Sequence, residues 1–545
     1  MTDPISIAGL ALAVGGTITA CLKYGRQLIK LCHDSRHLES GIVEIVLTIE
    51  GIWLKTETQL QSLRSIWSSL RSELQVHYTD ALDNLKIKLL AAIKSVDAFC
   101  DVTEVSASTH KKLRAPFLHK HLKQAVSDLE GWQRRFDPSW YLITRITEPK
   151  VDARLKISDE AQEEMDPSMV RLSRMRETIR QISFSDNTDT TGSIFKDASL
   201  IQTSRILIPG TTISLASYRG MNQPILLDRT RYPATPTART AKAYIRDLAR
   251  LLANVDPETF SLFRCDGVIE LSESPNSSQF EFIFPIPQGL SNPRTLRSLL
   301  LERPTCSLSQ RVRLAKQLAR SVMFVHAMGF VHKGIRPETV LIFTEENTSQ
   351  QTKPEPAKAY TNASLGPSYL VGFERTRRAD GPTDMHGDRE WARNLYRHPQ
   401  RQGLWPEDLY SMQHDIYSLG VCLLEIALWQ SFVRPQSPSS PESAESTVPW
   451  EDLDIAHALE DKDPKRGGFT IKTALTELAD GRLPALVGDV YTEVVLTCLG
   501  CLDSGEENVF GTERDLRVRL RDEDGVVVGV RFAENVLLRI EDICV

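Results

Sequence analysis

The hydrophobic period of this chain changes once, and that change constrains the fold more than any other feature. Up to about residue 182, apolar residues recur every three or four positions, and no proline stands between Pro4 and Pro116. One stripe runs Leu82, Leu85, Leu89, Ile93, Val96 and Cys100. A second runs Leu118, Leu122, Val126, Leu129, Gln133 and Phe136, with Trp132 beside it. Ile42, Ile45, Ile49 and Ile52 make a third. Such spacing lays one apolar edge along a helix. Residues 1–182 therefore read as an all-α bundle of long antiparallel helices, with Pro116 separating two of them.

Residues 183–204 are polar and aperiodic and read as a linker. Beyond them the pattern turns to short β-type runs at Arg205–Ile208, Thr211–Ser217, Pro224–Leu227, Gly267–Leu271 and Phe280–Pro285. One helical stretch, Thr240–Val255, interrupts these runs. The chain is thus multidomain: a helical bundle followed by an α+β domain over 205–545. Two Ser-, Pro- and Glu-rich inserts, Thr344–Pro367 and Pro435–Pro449, read as mobile loops. A hairpin around Asp524-Gly525 is expected within Arg514–Val530.

Bulk properties exclude several classes. The formal net charge of −6 supplies no global attraction to nucleic acid, so no nucleic-acid partner is expected. Nine scattered cysteines, an odd count without framework spacing, suggest reduced thiols inside a cell. Cys498 and Cys501 read as core packing rather than a zinc or redox pair. Ile5–Leu22 carries no charge and is close to the ~20 residues a membrane-spanning helix needs. Only Asp3 precedes it, so it does not read as a secretory signal. It reads either as a buried first helix or as a helix that enters a bilayer through Ile5, Ile7, Leu10, Leu12 and Val14. Lys111, Lys112, Arg114, Lys120 and Lys123 form a basic cluster, worth about 1 kcal/mol each toward an anionic leaflet.

The strongest motif evidence lies between Ser307 and Trp429. His332-Lys333-Gly334-Ile335-Arg336-Pro337-Glu338-Thr339-Val340-Leu341 resembles the protein-kinase H-R-D-L-K-P-E-N-V-L without a gap. Gly372-Phe373-Glu374 is similar to D-F-G, Tyr396-Arg397-His398-Pro399-Gln400 to Y-x-A-P-E, and Asp415-Ile416-Tyr417-Ser418-Leu419-Gly420-Val421 to the start of the central large-lobe helix. The resemblance implies a bilobal fold, with a small lobe over about 205–300 and a large lobe over about 301–545. It also implies that Asp415, Phe373 and Pro399 support the fold.

Phosphoryl transfer needs a base, magnesium ligands and a lysine on the phosphates. The resemblance places the base at Gly334, the two metal ligands at Thr339 and Gly372, and leaves His332 and Arg336 in the loop. Glycine offers no side-chain oxygen to a metal. In place of the lysine, the strand offers Arg229 or Arg231, with Asp247 on the following helix as its partner. Loss of the base alone would remove roughly 10²–10⁴ in rate. The domain therefore reads as a pseudokinase: no bound metal or cofactor is expected, and ATP binding without turnover is the alternative.

The start Met1-Thr2-Asp3-Pro4-Ile5-Ser6-Ile7-Ala8-Gly9-Leu10 resembles fungal HeLo and HeLo-like domains of the prion-inhibition and propagation group. That resemblance implies a membrane-active bundle in cell death or heterokaryon incompatibility. The plan is also similar to that of the mixed lineage kinase domain-like family. The expected protein is cytoplasmic, peripheral to or inserted in a membrane on activation, with a protein partner or self-association through the bundle. Two alternatives stand beside it: a soluble scaffold binding a partner protein, and a weakly active or unconventional kinase that binds ATP.

Overall fold

The computed structural model describes residues 4–35, 40–100, 109–146, 148–157, 166–184, 194–220, 223–233, 238–274, 277–345, 365–378, 390–402, 410–436, 447–505, 508–511 and 525–545. The chain forms two compact units, 1–180 and 181–545.

The first unit is helical. Its elements are α1 (Pro4–Ser35), α2 (Ser40–Ile66), α3 (Ser72–Cys100), α4 (Thr109–Trp140), α5 (Pro149–Leu155) and α6 (Pro167–Phe184). Side-chain pairs set the directions. Arg26 meets Glu57 and His33 meets Glu50, so α1 and α2 run antiparallel. Lys88 meets Asp128, Trp132 donates to the Ala81 carbonyl and Tyr78 to that of Ser139, so α3 and α4 do the same. Gln133 bonds Ile52 and Thr56 while Asp137 bonds Lys55 and Gln59, so α2 and α4 lie parallel. The bundle is two antiparallel hairpins side by side. At its centre Trp132, Phe136 and Trp140 stack at 4.6 and 5.6 Å. All three rings are buried; the apolar stripe predicts Phe136 with Trp132 beside it, and Trp140 extends it.

Three expectations need correction in detail. The helix does not break at Pro116, because α4 runs through it. The apolar edge Leu118, Leu122, Ala125, Leu129, Trp132 and Phe136 outweighs one missing N–H. The second stripe continues through the buried Ala125 rather than Val126, and the third through Trp53 rather than Ile52, as a true 3.6 period requires.

In the second unit, β1 (Phe195–Lys196), β2 (Ile206–Leu207), β3 (Ile213–Ser217), β4 (Pro224–Pro233), β5 (Gly267–Ser274) and β6 (Ser277–Pro285) make one sheet in the order β1-β5-β6-β4-β3-β2. Between β4 and β5 lie α7 (Ala238–Leu252) and the short α8 (Pro257–Phe260). The linker reading of 183–204 fails over its second half. Phe195 and Lys196 pair with β5, and Ile201 packs with Ala216, Ile225, Leu227, Ile269 and Ile283 on one face of the sheet. Ile194, Phe195, Leu200 and Ile201 supply apolar surface that a solvated linker lacks.

Next come β7 (Leu290–Thr295), α9 (Leu296–Glu302), α10 (Leu308–Ala327), β8 (Phe330–Val331), β9 (Val340–Glu345), β10 (Ser368–Leu370) and β11 (Arg377–Arg378). Ser307 and Gln310 form a reciprocal capping box that starts α10. Then follow α11 (Trp391–Asn394), α12 (Met412–Leu428), β12 (Val433–Pro435), β13 (Thr447–Pro449), α13 (Ala456–Leu459), α14 (Pro464–Val487), α15 (Asp489–Leu499), α16 (Val526–Phe532) and α17 (Leu538–Glu541). The helix α12 is buried along nearly its whole length, between α10 and α15. Gly420 lets α15 approach, since a Cβ there would lie 2.7 Å from Cys498 Cβ. Cys498 and Cys501 are buried free thiols in this contact.

Each polar insert is closed at its base by an antiparallel strand pair, β9–β10 for the first and β12–β13 for the second. The bodies of the inserts, 346–364 and 437–446, lie outside the described residues. The expected hairpin is contradicted from Val526 onward, where the chain is helical. The apolar run Val526-Val527-Val528-Gly529-Val530 is buried on several sides, so tertiary packing overrides its β propensity. Residues 512–524 lie outside the described set.

Candidate functional site

The motif residues converge where the six-stranded sheet meets the loop after β8. The centre of that loop is Asp415, fully buried in the first turn of α12. Its carboxylate accepts the His332 N–H at 2.7 Å and the Lys333 N–H at 2.9 Å. Tyr410 donates its hydroxyl at 2.7 Å, and His326 Nε2 stands 3.5 Å away. Burial alone would raise this carboxyl's pKa; His326, His332 and Tyr410 outweigh it and hold the pKa below its ordinary value. The paired amides also fix Lys333 at φ +64°, a left-handed conformation that a lysine enters only when its surroundings impose it.

His332 sits beneath the loop. Its Nε2 lies 3.1 Å from the Val371 carbonyl, which places the ring proton on Nε2. Burial pushes its pKa down to about 4, so the imidazole is neutral at physiological pH. Phe373 packs on it at 5.1 Å and reaches Phe282 and Phe284 on β6 at 6.3 and 6.2 Å.

The three residues at the altered motif positions come together. Thr339 donates its hydroxyl to the carbonyls of Gly334 and Arg336, 2.9 Å each, and accepts the Arg336 N–H at 3.1 Å. Its own carbonyl accepts the Val371 N–H at 2.9 Å. Gly372 follows at φ +83°, and a Cβ there would lie 2.5 Å from the Thr339 methyl. Gly334 is different: a Cβ would meet His332, Arg336 and Gly372 only at 3.6–3.8 Å, ordinary contact. Arg336 lies 3.6 Å from both Glu338 and Glu374.

The structure overturns the choice of Arg229 or Arg231 at the strand position facing this loop. Both are exposed, and Arg229 pairs with Glu281 at 2.9 Å. Strand parity turns them away, because side chains alternate across β4. The inward residues are Leu226, Asp228 and Thr230, opposite Phe284, Phe282 and Phe280. Asp228 is buried, and its Oδ2 accepts the N–H groups of Gly372 at 2.8 Å and Phe373 at 3.2 Å. Burial pushes its pKa up to about 7. Asp247 is also buried, and it pairs with its neighbour Arg246 at 3.1 Å. Parity is not legible in the sequence here: Ile225, Leu226 and Leu227 are all apolar, so counting by twos reaches Arg229 as readily as Asp228.

A second polar centre was not visible in the motifs. Arg297 on α9 donates to Glu338 at 3.0 Å, to Glu425 at 3.1 Å, to Ser431 at 2.5 Å and to Tyr396 at 2.5 Å. Tyr396 in turn donates to Glu425 at 2.8 Å. The segment holding Pro399 is thus tied to α12 through Tyr396 and through Ser418, which donates to the Tyr396 carbonyl at 2.6 Å. Pro399 is buried and opens a 3₁₀ turn; Gln400 makes no ion pair there, its N–H lying 3.4 Å from His398 Nδ1.

Of the basic cluster, Lys120 and Lys123 are exposed on α4. The side chains of Lys111, Lys112 and Arg114, and those of Ile5, Ile7, Leu10, Leu12 and Val14, lie outside the described residues. Among the described residues no helix is long and apolar enough to cross a membrane, and no group of three or more His, Cys, Asp and Glu side chains could hold a metal ion. No protein-family model matches the chain, and no curated protein matches it.

Proposed function

We propose that this protein is a signalling switch: a kinase-like module that does not transfer phosphate, joined to a HeLo-like helical bundle that acts on a membrane. The observation that carries the reading is the loop built on Asp415. It has the hydrogen-bonded support a phosphotransfer loop needs, while Gly334, Thr339 and Gly372 offer no carboxylate and the inward strand residue, Asp228, is an acid. A phosphate clamp needs cations at that place. The module holds or senses, in the cytoplasm, and the bundle acts at an anionic bilayer in a cell-death response, through its first helix and basic cluster. ATP is not part of this working cycle.

Two measurements test the reading. Full-length protein with ATP and magnesium should transfer no phosphate to itself or to a general acceptor protein; turnover that a metal chelator abolishes sinks the pseudokinase part. Dye release from anionic vesicles, by the full chain and by residues 1–182, tests the membrane part, and silence from both sinks it. A second reading, a scaffold for a partner protein, draws on one feature. Val43, Leu47 and Leu54 stand 37%, 56% and 65% exposed on α2, spaced along one outer edge.

A further inference from the structure

Three consecutive residues of the 372–376 turn are held by one strand. Asp228 takes the N–H groups of Gly372 and Phe373, and Thr230 donates its hydroxyl to the Glu374 carbonyl at 3.1 Å. On its other side the turn is tied to the loop after β8, where Thr376 donates to the His332 carbonyl at 3.3 Å and β11 pairs with β8. Asp228 is 1% exposed, and its Oδ1 has no hydrogen-bond partner among the described residues. A carboxyl is costly to bury in this way, so the two amides it receives are its visible compensation.

We propose that Asp228 and Thr230 form a latch that keeps the 372–376 turn docked on the sheet, and that the latched junction of sheet and loop rejects nucleoside polyphosphates. This rests on the kinase-like reading of that junction. Two physical reasons support rejection. The inward strand position offers a buried carboxyl and no cation where phosphates would need one, and the turn brings a second acid, Glu374, near it. The docked turn also cannot grow a side chain at its first residue, because Gly372 is held left-handed against the Thr339 methyl.

Hydrogen exchange on the full chain, read at 372–376, and calorimetric titration with ATP test the latch together. Wild type should protect the Gly372 and Phe373 amides and bind no ATP. Asp228→Asn keeps an acceptor oxygen and should keep the protection. Asp228→Ala should speed exchange at those two amides by about tenfold or more, leaving β5 and β6 unchanged. It should also bind ATP more tightly than wild type. Thr230→Val, which removes only the hydroxyl, should loosen the turn to a smaller extent and serves if Asp228→Ala fails to fold. Unchanged exchange at 372–376 in every folded variant overturns the latch. ATP binding by wild type as tight as by the latch variants overturns the rejection. Phosphate transfer by wild type would instead remove the underlying reading while leaving the exchange result standing.

Discussion

Arg297 Nη1 lies 3.1 Å from Glu425 Oε1, a buried ion pair that joins α9 to the core of α12. Burial works against the charge on Arg297, and Tyr396, Glu425 and Glu338 outweigh it, so its pKa stands well above the ordinary value. Removing one partner of such a pair strands the other in a medium that cannot solvate it. Arg297→Ala should therefore cost about 3–5 kcal/mol in the unfolding of the second unit. Arg297→Lys should recover only part, since an ammonium cannot reach Glu338, Glu425 and Tyr396 together. Urea denaturation of the three proteins measures both.

Gly372 and Thr339 should be thermodynamically coupled. Gly372→Ala meets both the φ of +83° and the Thr339 methyl, and should cost about 1–3 kcal/mol. Thr339→Ser keeps the hydroxyl bonds and removes the methyl. In the double variant it should return the steric part of the loss and leave the backbone part. A double-mutant cycle of melting temperatures reads the coupling. Placing an aspartate there by Gly372→Asp should destabilise for the same reasons and produce no magnesium-dependent shift.

Acid should destabilise the second unit from about pH 6.5 downward. Burial lowers the pKa of His332 to about 4, of His414 to about 3 and of His398 to about 2. With the folded values below the ordinary 6.5, the unfolded chain binds more protons, so stability rises with pH and is lost as pH falls below 6.5. By pH 5 each histidine should have cost on the order of 2 kcal/mol. Asp228 works the other way: its raised pKa makes its contribution largest below about 4 and lost as pH rises through about 7. It returns about as much as one histidine removes. The net slope between pH 7 and 5 should be destabilising, and Asp228→Asn should steepen it. Urea midpoints across that range decide.

In the first unit, a Cβ on Gly25 would fall inside the Trp53 ring. Trp53 is buried and its indole donates to Glu57 at 2.9 Å, the same carboxylate that pairs with Arg26. Gly25→Ala should cost about 1–3 kcal/mol of bundle stability by overpacking. Trp53→Phe on that background should relieve part of it. Thermal unfolding followed by circular dichroism checks the pair.

Much of the site was legible as residue identities. Gly334, Thr339, Gly372 and Asp415 follow from motif order, and a glycine lacks a carboxylate in any fold. What misled was facing. Arg229 and Arg231 are the cations nearest in sequence to the expected position, yet Asp228, just before them, points inward. A motif reading weighs chemistry; the pleat decides direction. The 194–204 segment shows a related limit. Its apolar residues have no local period, so only the sheet face they cover reveals their use. Arg297 carried no signal at all, because its four partners are distant in sequence and meet only in the folded core.

What the chain's own order of residues determined is the division into a helical and a mixed unit, the buried edges of the long helices, and the absence of carboxylates at Gly334, Thr339 and Gly372. These are properties of period and side-chain chemistry, which are local. Only the tertiary structure decided that Pro116 stays inside a helix, that Val526–Phe532 is helical rather than a strand, and that Asp228 binds the turn at Gly372. Each of those outcomes is settled by burial against a distant partner, and burial is a property of the whole fold.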